Sequence, residues 1–333
     1  MTMKLLPVTV FLIAVSAVSA SMAADLNPQQ IYERVAPGVV LIIGHPQQDD
    51  GGSGGTGSII RGDGLVLTNA HVVIDEKTGK PYPRLAVYLK PDRVTGNSKT
   101  DLSRRVDASV TAFDRRMDLA LLKLAAVPAS LPALELGDPD RVKIGERVVA
   151  IGHPEQGGLW TLTTGVVSAE FDDYGNTKGK HVFQTETGLN RGNSGGPLLD
   201  AQGRIIGVNM AIARLASDGV PIMSISFALK SSVAREWLRE QGVAVEYASV
   251  SSERSPVPVQ APQAPQAQIT PAPEKPASPP APSAAAPKAL PPPQVHTEVR
   301  PYSLDELIRG ANSEAERDLD QMMKDMRPKT KPK

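Results

Sequence analysis

The chain has 333 residues with 28 Gly, 30 Pro and no Cys, and its 36 basic side chains balance 36 acidic ones. A net charge of zero gives no electrostatic reason to expect nucleic acid as a partner. The absence of cysteine excludes disulfide scaffolds, thiolate metal sites, iron–sulfur clusters and a cysteine nucleophile. Hydrophobic residues make up 41% of the chain and aromatic residues only 4%, so a sizeable and mostly aliphatic core is expected.

Residues 1–23 have the pattern of a secretory signal peptide. Lys4 supplies a positive charge, and Leu5 to Val18 form a mostly apolar run that is too short to span a bilayer comfortably. Small residues follow, with cleavage expected after Ala20 or Ala23. We therefore predict export. The periplasm of a Gram-negative bacterium is the expected destination, because an exported chain without cysteines fits a bacterial envelope protein better than a disulfide-rich secreted protein. Secretion and retention by an uncleaved N-terminal anchor are the alternatives.

Residues 24–245 are predicted to form the globular part. Asn27 and Pro28 can cap and open a short helix that ends at Val35, and Ser231–Glu240 has the apolar spacing of a closing helix. Between them lie short apolar runs separated by Gly, Asp, Asn and Pro, which is typical of an all-β barrel or sandwich. The predicted strands are Val39–Ile43, Gly57–Arg61, Leu65–Asn69, Leu85–Leu89, Val106–Phe113, Leu119–Leu124, Arg147–Ile151, Thr161–Ala169, Val182–Glu186, Leu198–Asp200, Ile205–Ala211 and Ser224–Leu229.

The remaining residues are predicted to lie outside this core. Residues 246–300 form a disordered linker rich in Pro and Ala, because 14 of the 30 prolines lie between Pro256 and Pro293. A bare spacer and a PxxP ligand are the two interpretations of this segment. Residues 301–333 are predicted to form a short amphipathic helical tail. A tail that docks on a partner protein and a marginal helix in a disordered end remain as alternatives.

A serine between glycines is the first chemical signal. The glycines of Gly192-Asn193-Ser194-Gly195-Gly196 permit a tight turn that exposes the hydroxyl and aims backbone N–H groups at a developing oxyanion. A plain glycine-rich turn is the alternative. The string also fits the G-x-S-x-G elbow of α/β-hydrolases, in which the histidine follows the serine. Only His296 follows Ser194, inside the proline-rich segment, so the elbow interpretation lacks a general base.

Two upstream residues could activate this serine. His71 lies at the end of a predicted strand, where its ring could be held toward solvent. Asp118 precedes the apolar run Leu119–Leu124, where a carboxylate could fix the imidazole tautomer. The chain order His71, Asp118, Ser194 is that of the chymotrypsin class and differs from the orders in subtilisin and α/β-hydrolases. The upstream histidines His153 and His181 match no metal-binding motif and are expected to be structural or surface residues.

Three segments resemble the signatures of the HtrA/Deg family of trypsin-like serine endopeptidases. They are Thr68-Asn69-Ala70-His71-Val72-Val73, Asp118-Leu119-Ala120 and Asn190-Arg191-Gly192-Asn193-Ser194-Gly195-Gly196-Pro197, and further similarity covers about residues 30–240. The resemblance implies two six-stranded antiparallel β-barrels and hydrolysis of unfolded or damaged proteins, with no cofactor and no metal. Family members commonly carry PDZ domains after the protease domain. Here the linker and tail occupy that place, so control by a PDZ domain is not expected.

The resemblance also implies roles for individual residues. Ser194 is the expected nucleophile, His71 the general base and Asp118 the group that orients it. The backbone N–H groups of Gly192 and Ser194 are the candidate oxyanion hole.

The resemblance further implies a substrate pocket. Gly188, six residues before the serine, forms its floor, and Asn209, Ser226 and Phe227 lie in the segments that line it. Since the floor carries no acid, small or medium aliphatic P1 residues are expected rather than Lys or Arg.

The expected partners are unfolded or misfolded polypeptides that pair as an extended strand with the enzyme. Whether the trimeric assembly common in the family persists, making the chain a homo-oligomer, stays open. Two other functions are alternatives. One is a chaperone-like binding module that retains the fold without turnover. The other is a scaffold whose tail recruits a partner, with low or conditional proteolysis.

Overall fold

The structure is a computed structural model that describes residues 25–46, 52–155, 157–210 and 225–248. The predicted signal peptide, the tail and nearly all of the linker lie outside the described residues. Within these ranges no helix is long and apolar enough to cross a membrane.

Twelve strands and four helices make up the described part of the chain. The strands are β1 (Val39–His45), β2 (Ser53–Arg61), β3 (Leu65–Thr68), β4 (Arg84–Leu89), β5 (Arg105–Asp114), β6 (Leu119–Leu124), β7 (Arg147–Gly152), β8 (Thr161–Phe171), β9 (Val182–Thr185), β10 (Pro197–Leu199), β11 (Ile205–Met210) and β12 (Ser226–Lys230). The helices are α1 (Pro28–Val35), α2 (Ala70–Val73), α3 (Ser98–Asp101) and α4 (Ser231–Glu240). All twelve predicted strands are present, and both predicted helices are confirmed.

The strands close into two antiparallel barrels. The first has the order β1-β2-β3-β6-β5-β4, and the second has the order β7-β8-β9-β12-β11-β10. Adding six to each strand number in the first order gives the second order, so the two barrels share one topology. The prediction of two six-stranded barrels is therefore confirmed. Full closure leaves neither sheet with an open edge.

The first strand of each barrel is buried on both faces. In β1, Val40 and Ile42 belong to an apolar cluster confined to the first barrel, whereas Val39, Leu41 and Ile43 belong to a cluster that contains residues of both barrels. The pattern repeats in β7, where alternate residues join the cluster of the second barrel and the shared one. Successive strand residues point to opposite faces. This explains why the sequence shows unbroken apolar runs here rather than alternation.

Both longer helices have the ends that their sequences predict. Asn27 and Gln30 form a reciprocal capping box at the start of α1, and Ile31 and Val35 bury its apolar side. Helix α4 buries Ala234, Trp237 and Leu238, which lie three or four residues apart on one side. The helices therefore pack onto the barrels through narrow apolar stripes.

One local prediction was wrong. The strand expected to end at Asn69 ends at Thr68, and His71 lies in the short helix α2 rather than at a strand end. Asn69 is extended and stands at the N-cap position, and the Ile74 N–H donates to the Ala70 carbonyl at 2.9 Å. A single helical turn has no periodicity to show in a sequence, and the β-branched Val72 and Val73 favour a strand.

Candidate active site

His71 and Asp118 are joined by two hydrogen bonds. The backbone N–H of His71 donates to Asp118 Oδ1 at 3.0 Å, and His71 Nδ1 lies 2.8 Å from Asp118 Oδ2. A carboxylate only accepts, so Nδ1 carries the proton and Nε2 of the neutral ring is left as a proton acceptor. The His71 side chain is 39% exposed and that of Asp118 is 20% exposed. The pair therefore presents a basic nitrogen at the surface, supported from behind by a carboxylate.

The backbone of Asp118 is held in an unusual conformation. Its φ is 58°, in the left-handed region, and the Asn69 side chain donates to its carbonyl at 2.8 Å. Aspartate tolerates this region better than most residues. The turn re-aims the carboxylate just before β6, toward α2 instead of along the strand. Asn69 thus links the loop of Asp118 to the start of the helix that carries His71.

Ser194 lies in a tight turn between two glycines with positive φ. Gly192 has φ 95° and Gly195 has φ 83°, conformations that glycine adopts without steric cost. Ser194 is buried, and its carbonyl accepts the Thr56 N–H at 2.8 Å. The Gly195 N–H donates to the Asn209 carbonyl at 2.9 Å. The turn is therefore fastened to strands β2 and β11.

The turn of Ser194 lies against the helix that carries His71. A Cβ on Gly55 would lie 2.6 Å from the Val72 side chain and 3.0 Å from the Ser194 carbonyl oxygen, so β2 touches both segments there. A Cβ on Gly195 would lie 2.9 Å from the Asn69 nitrogen. The structure thus brings together the neighbourhoods of three residues that are far apart in the sequence. The direct contact between the Ser194 hydroxyl and the His71 ring stays a prediction.

Two peptide groups fix the direction of the predicted oxyanion donors. The Arg191 carbonyl accepts the Glu155 N–H at 2.7 Å, and the Asn193 carbonyl accepts the Gly196 N–H at 3.1 Å. None of the described peptide bonds is cis. Since C=O and N–H of a trans peptide point in opposite directions, the N–H groups of Gly192 and Ser194 are turned away from these two donors.

Two buried polar residues, Thr56 and His153, lie beneath this turn, and the sequence analysis predicted no contact of either one with the turn. The Thr56 hydroxyl donates to the Gly192 carbonyl at 2.7 Å, and it lies 3.0 Å from His153 Nδ1. The His153 backbone N–H also donates to this hydroxyl oxygen at 3.2 Å. Both residues have no exposed surface, and burial lowers the pKa of His153 to about 3. His153 is therefore a structural residue in the interior, as expected, and it carries no charge at neutral pH.

The four predicted pocket residues have different surroundings. A Cβ on Gly188 would meet nothing within 4 Å, whereas Asn209 is fully buried and its amide donates to the Pro197 carbonyl at 3.0 Å. The Ser226 hydroxyl donates to the Thr187 carbonyl at 2.7 Å. The ring of Phe227 packs against those of Tyr174 and Phe171, with centroids 4.8 Å and 6.1 Å away. Gly188 is exposed with open space at its Cβ position, and the assignment of the pocket stays a prediction.

A cavity of about 150 Å³ adjoins the His71–Asp118 pair. Its lining residues are Ala70, His71, Ile74, Glu76, Arg115 and Asp118. Among the described residues, no group of three His, Asp or Glu side chains could hold a metal ion.

Comparisons with known proteins agree with this geometry. Residues 55–208 match the family model of the trypsin-like peptidase domain. This part of the chain is similar to trypsin-like peptidase domains. A solved structure described as the HtrA-type protease AlgW with tripeptide is 30% identical, with a TM-score of 0.52 over 65% of each chain. The resemblance to HtrA-type proteases is therefore confirmed.

Two curated relatives are named probable periplasmic serine endoprotease DegP-like. The protein from Brucella suis biovar 1 (strain 1330) is 37% identical over 183 residues, which are 55% of this chain and 31% of the relative. That from Marinomonas sp. (strain MWYL1) is 38% identical over 189 residues, which are 57% of this chain and 35% of the relative. The chain thus spans about a third of the length of these relatives.

Proposed function

We propose that this chain is a serine endopeptidase of the bacterial envelope that cleaves unfolded or damaged polypeptides. The observation that carries the proposal is the doubly bonded His71–Asp118 pair beside the glycine turn of Ser194. Family membership supports it, because the relatives are named serine endoproteases. The relatives are also named periplasmic, which agrees with the export predicted from residues 1–23.

In the proposed reaction, Ser194 Oγ attacks the carbonyl carbon of the scissile peptide bond. His71 Nε2 accepts the hydroxyl proton and then delivers it to the leaving amine. A water molecule hydrolyses the resulting acyl-enzyme with His71 again as the base. Asp118 stabilises the imidazolium that forms in both steps and keeps Nδ1 protonated.

The backbone N–H groups of Gly192 and Ser194 are the proposed oxyanion hole. The carbonyls of their peptide groups are bonded on the opposite side, which supports a fixed direction for both donors. Donors that are oriented before the reaction stabilise the tetrahedral intermediate without reorganisation. One such donor is worth about 10²–10³ in kcat in a related system.

The proposed P1 preference is for small or medium aliphatic residues such as Val, Ala or Leu. Gly188 adds no carboxylate to the pocket floor, so a P1 Lys or Arg would lose its hydration there without gaining a counter-charge. An extended substrate strand would pair with the enzyme backbone, which favours unfolded chains over folded ones. A homo-oligomer and a protein partner for residues 301–333 belong to the same proposal.

Cleavage of casein by the exported full chain tests the proposal. The unmodified protein degrades casein, and Ser194→Ala abolishes this activity without loss of the far-UV circular dichroism of the fold. Ser109→Ala, at an exposed strand position, is the matched control and retains full activity. Casein cleavage that survives Ser194→Ala contradicts the proposal.

A further inference from the structure

We propose that Thr56 and His153 are positioning residues that restrain Gly192 and thereby keep the candidate oxyanion hole assembled. The inference rests on the proposed function and deepens it. Thr56, in strand β2, binds both Gly192 and Ser194, the two turn residues whose N–H groups are the proposed donors. The Thr56 side chain donates to the Gly192 carbonyl at 2.7 Å, and the Thr56 backbone N–H donates to the Ser194 carbonyl at 2.8 Å.

Gly192 requires such a restraint because of its own chemistry. Glycine populates more backbone conformations than any other residue, so its flanking peptide groups rotate easily unless they are bonded. The peptide before Gly192 is held by the Glu155 N–H on the Arg191 carbonyl at 2.7 Å. The peptide after it is held at both ends, by the Thr56 hydroxyl on the Gly192 carbonyl and by the Asn193 N–H, which donates to the Asn190 carbonyl at 3.0 Å. Removing the hydroxyl therefore removes one of the three hydrogen bonds that restrain the peptide groups on either side of Gly192, whose N–H must point at the oxyanion.

The hydrogen-bond pattern assigns the proton on His153. A hydroxyl has one proton, and a carbonyl can only accept, so the Thr56 proton is directed to Gly192. His153 Nδ1, 3.0 Å from the same oxygen, must therefore be the donor in its contact. The His153 backbone N–H supplies a second donor at 3.2 Å. Both acceptor positions of the hydroxyl are thus used, which leaves its proton a single direction.

The His153 ring is itself fixed from the other side. It packs edge-on against Trp160, with ring centroids 4.8 Å apart and planes at 76°. The Trp160 Nε1–H donates to the Val39 carbonyl at 2.8 Å, which ties this pair to β1 of the first barrel. No described residue offers a partner to His153 Nε2, and burial keeps the ring neutral. The ring is therefore a permanent donor to Thr56 and takes no part in proton transfer.

One side of the turn packs closely against the backbone below it. A Cβ on Gly192 would lie 2.0 Å from the His153 carbonyl oxygen, and a Cβ on Gly152 would lie 2.4 Å from Asn193 Oδ1. The turn is seated directly on the backbone of residues 152 and 153. The hydrogen bonds to the Gly192 and Ser194 carbonyls then fix the orientation of peptide groups that already contact the backbone of residues 152 and 153.

Three variants of the full chain test the inference with one peptide substrate. Thr56→Val keeps the side-chain shape and removes the hydroxyl, and Thr56→Ser keeps the hydroxyl. Ser231→Ala is the matched control, because the buried Ser231 hydroxyl also donates to a glycine carbonyl, that of Gly137 at 2.8 Å, in another part of the fold. The measurements are kcat, KM and the inhibition constant of a peptidyl boronic acid, which forms a tetrahedral adduct with the serine.

The expected effect is on the transition state. Thr56→Val lowers kcat by about 10–100-fold, less than the loss of a donor itself, and weakens boronic acid binding by a similar factor. KM changes by less than about threefold, because ground-state binding does not use the oxyanion donors. Thr56→Ser and Ser231→Ala keep kcat within about threefold of the unmodified chain. His153→Phe lowers kcat as well, and Thr56→Val/His153→Phe is no slower than Thr56→Val, since His153 acts through Thr56.

Several results would overturn the inference. They are a folded Thr56→Val variant with normal kcat, a change confined to KM, or an equal loss of kcat in Ser231→Ala. If Thr56→Val does not fold, Thr56→Cys is measured in its place, because a thiol is similar in size to the threonine side chain and only a weak hydrogen-bond donor. A normal kcat in Thr56→Cys would overturn the proposed role of the hydroxyl. Absence of Ser194-dependent hydrolysis in the unmodified chain overturns the proposed function and the inference together, whereas normal turnover in Thr56→Val overturns the inference alone.

Discussion

The carboxylate of Asp118 contacts both the backbone and the ring of His71, at 3.0 Å from its N–H and 2.8 Å from Nδ1. The first contact fixes the position of the short helix α2 relative to β6, and the second fixes the tautomer of the ring. One side chain therefore contacts both the backbone that positions the candidate base and the ring nitrogen that sets its tautomer. Asp118 makes both contacts from a left-handed backbone conformation, with φ 58°.

Asp118→Asn is expected to lower kcat by about 10⁴, as the corresponding change does in a protease of the chymotrypsin class. An amide nitrogen beside His71 Nδ1 donates instead of accepting, which favours the tautomer that cannot act as a base. Asp172→Asn is the control, because Asp172 Oδ1 lies 2.7 Å from Nδ1 of His181 on the surface. The control variant keeps full activity on a peptide substrate, and a less than tenfold loss in Asp118→Asn contradicts the role of this carboxylate.

Gly188→Asp is expected to move the P1 preference toward Lys and Arg. The added side chain meets open space, and its carboxylate would pair with a basic P1 side chain. The ratio of kcat/KM for Lys over Val at P1 should rise by about tenfold or more. Gly188→Asn has nearly the same shape without the charge and should leave the ratio unchanged. Equal ratios of kcat/KM for Lys over Val in the two variants would contradict the assignment of Gly188 to the pocket floor.

Gly192→Ala is expected to reduce kcat by at least about 10², the value of one oxyanion donor. A Cβ would lie 2.0 Å from the His153 carbonyl oxygen at a φ of 95°, so the turn must move. Gly145→Ala is the matched control, because Gly145 also has a positive φ, of 89°, but has open space around its Cβ position. This variant shares the backbone strain and should be destabilised while its kcat is unaffected. Similar kcat losses in the two variants would assign the effect to strain alone.

The stability of the fold is expected to fall in mild acid because of His45. This residue is buried, and burial together with Arg84 and Arg105 lowers its pKa to about 4. Between pH 6.5, the ordinary pKa, and about 4, the unfolded chain binds a proton that the folded chain excludes. The free energy of unfolding should therefore decrease as the pH falls through this window, by up to about 1.4 kcal/mol per pH unit from this group, and its contribution is constant above it.

Urea unfolding at several pH values between 7 and 4 checks this expectation. His45→Leu removes the titrating ring from a site where neither ring nitrogen has a described partner. The variant should show a shallower decrease in the free energy of unfolding with falling pH than the unmodified chain. Identical slopes in the two proteins would show that His45 is not excluded from protonation in the folded state.

Much of the fold could be predicted from the sequence because local pattern and tertiary burial agree. The aliphatic run Val39–Ile43 is apolar on both faces, as a strand buried between two clusters must be. Helix α1 carries its own capping box in Asn27 and Gln30. Helix α2 was not predicted, because four residues are too few to show a helical period. His71 was therefore expected at the end of a strand.

The support beneath the turn could not be predicted for a different reason. Thr56 is 97 residues from His153 and 136 from Gly192 in the sequence, and only the closure of both barrels brings them together. Hydrogen bonds between distant buried side chains leave no local pattern. The one available signal was a polar residue within the glycine run that opens β2. The three proposed catalytic residues could be predicted from the sequence because each lies in a segment with a recognisable local composition.

Active-site labelling tests the central claim most directly. The exported full chain and its Ser194→Ala and His71→Ala variants are treated with a peptidyl phosphonate that carries an aliphatic P1 residue, and the modified peptide is mapped by mass spectrometry. The account predicts a single adduct on Ser194, slow labelling of His71→Ala and no labelling of Ser194→Ala. An unlabelled wild-type chain under conditions in which it cleaves casein, or an adduct on a different serine, would contradict it.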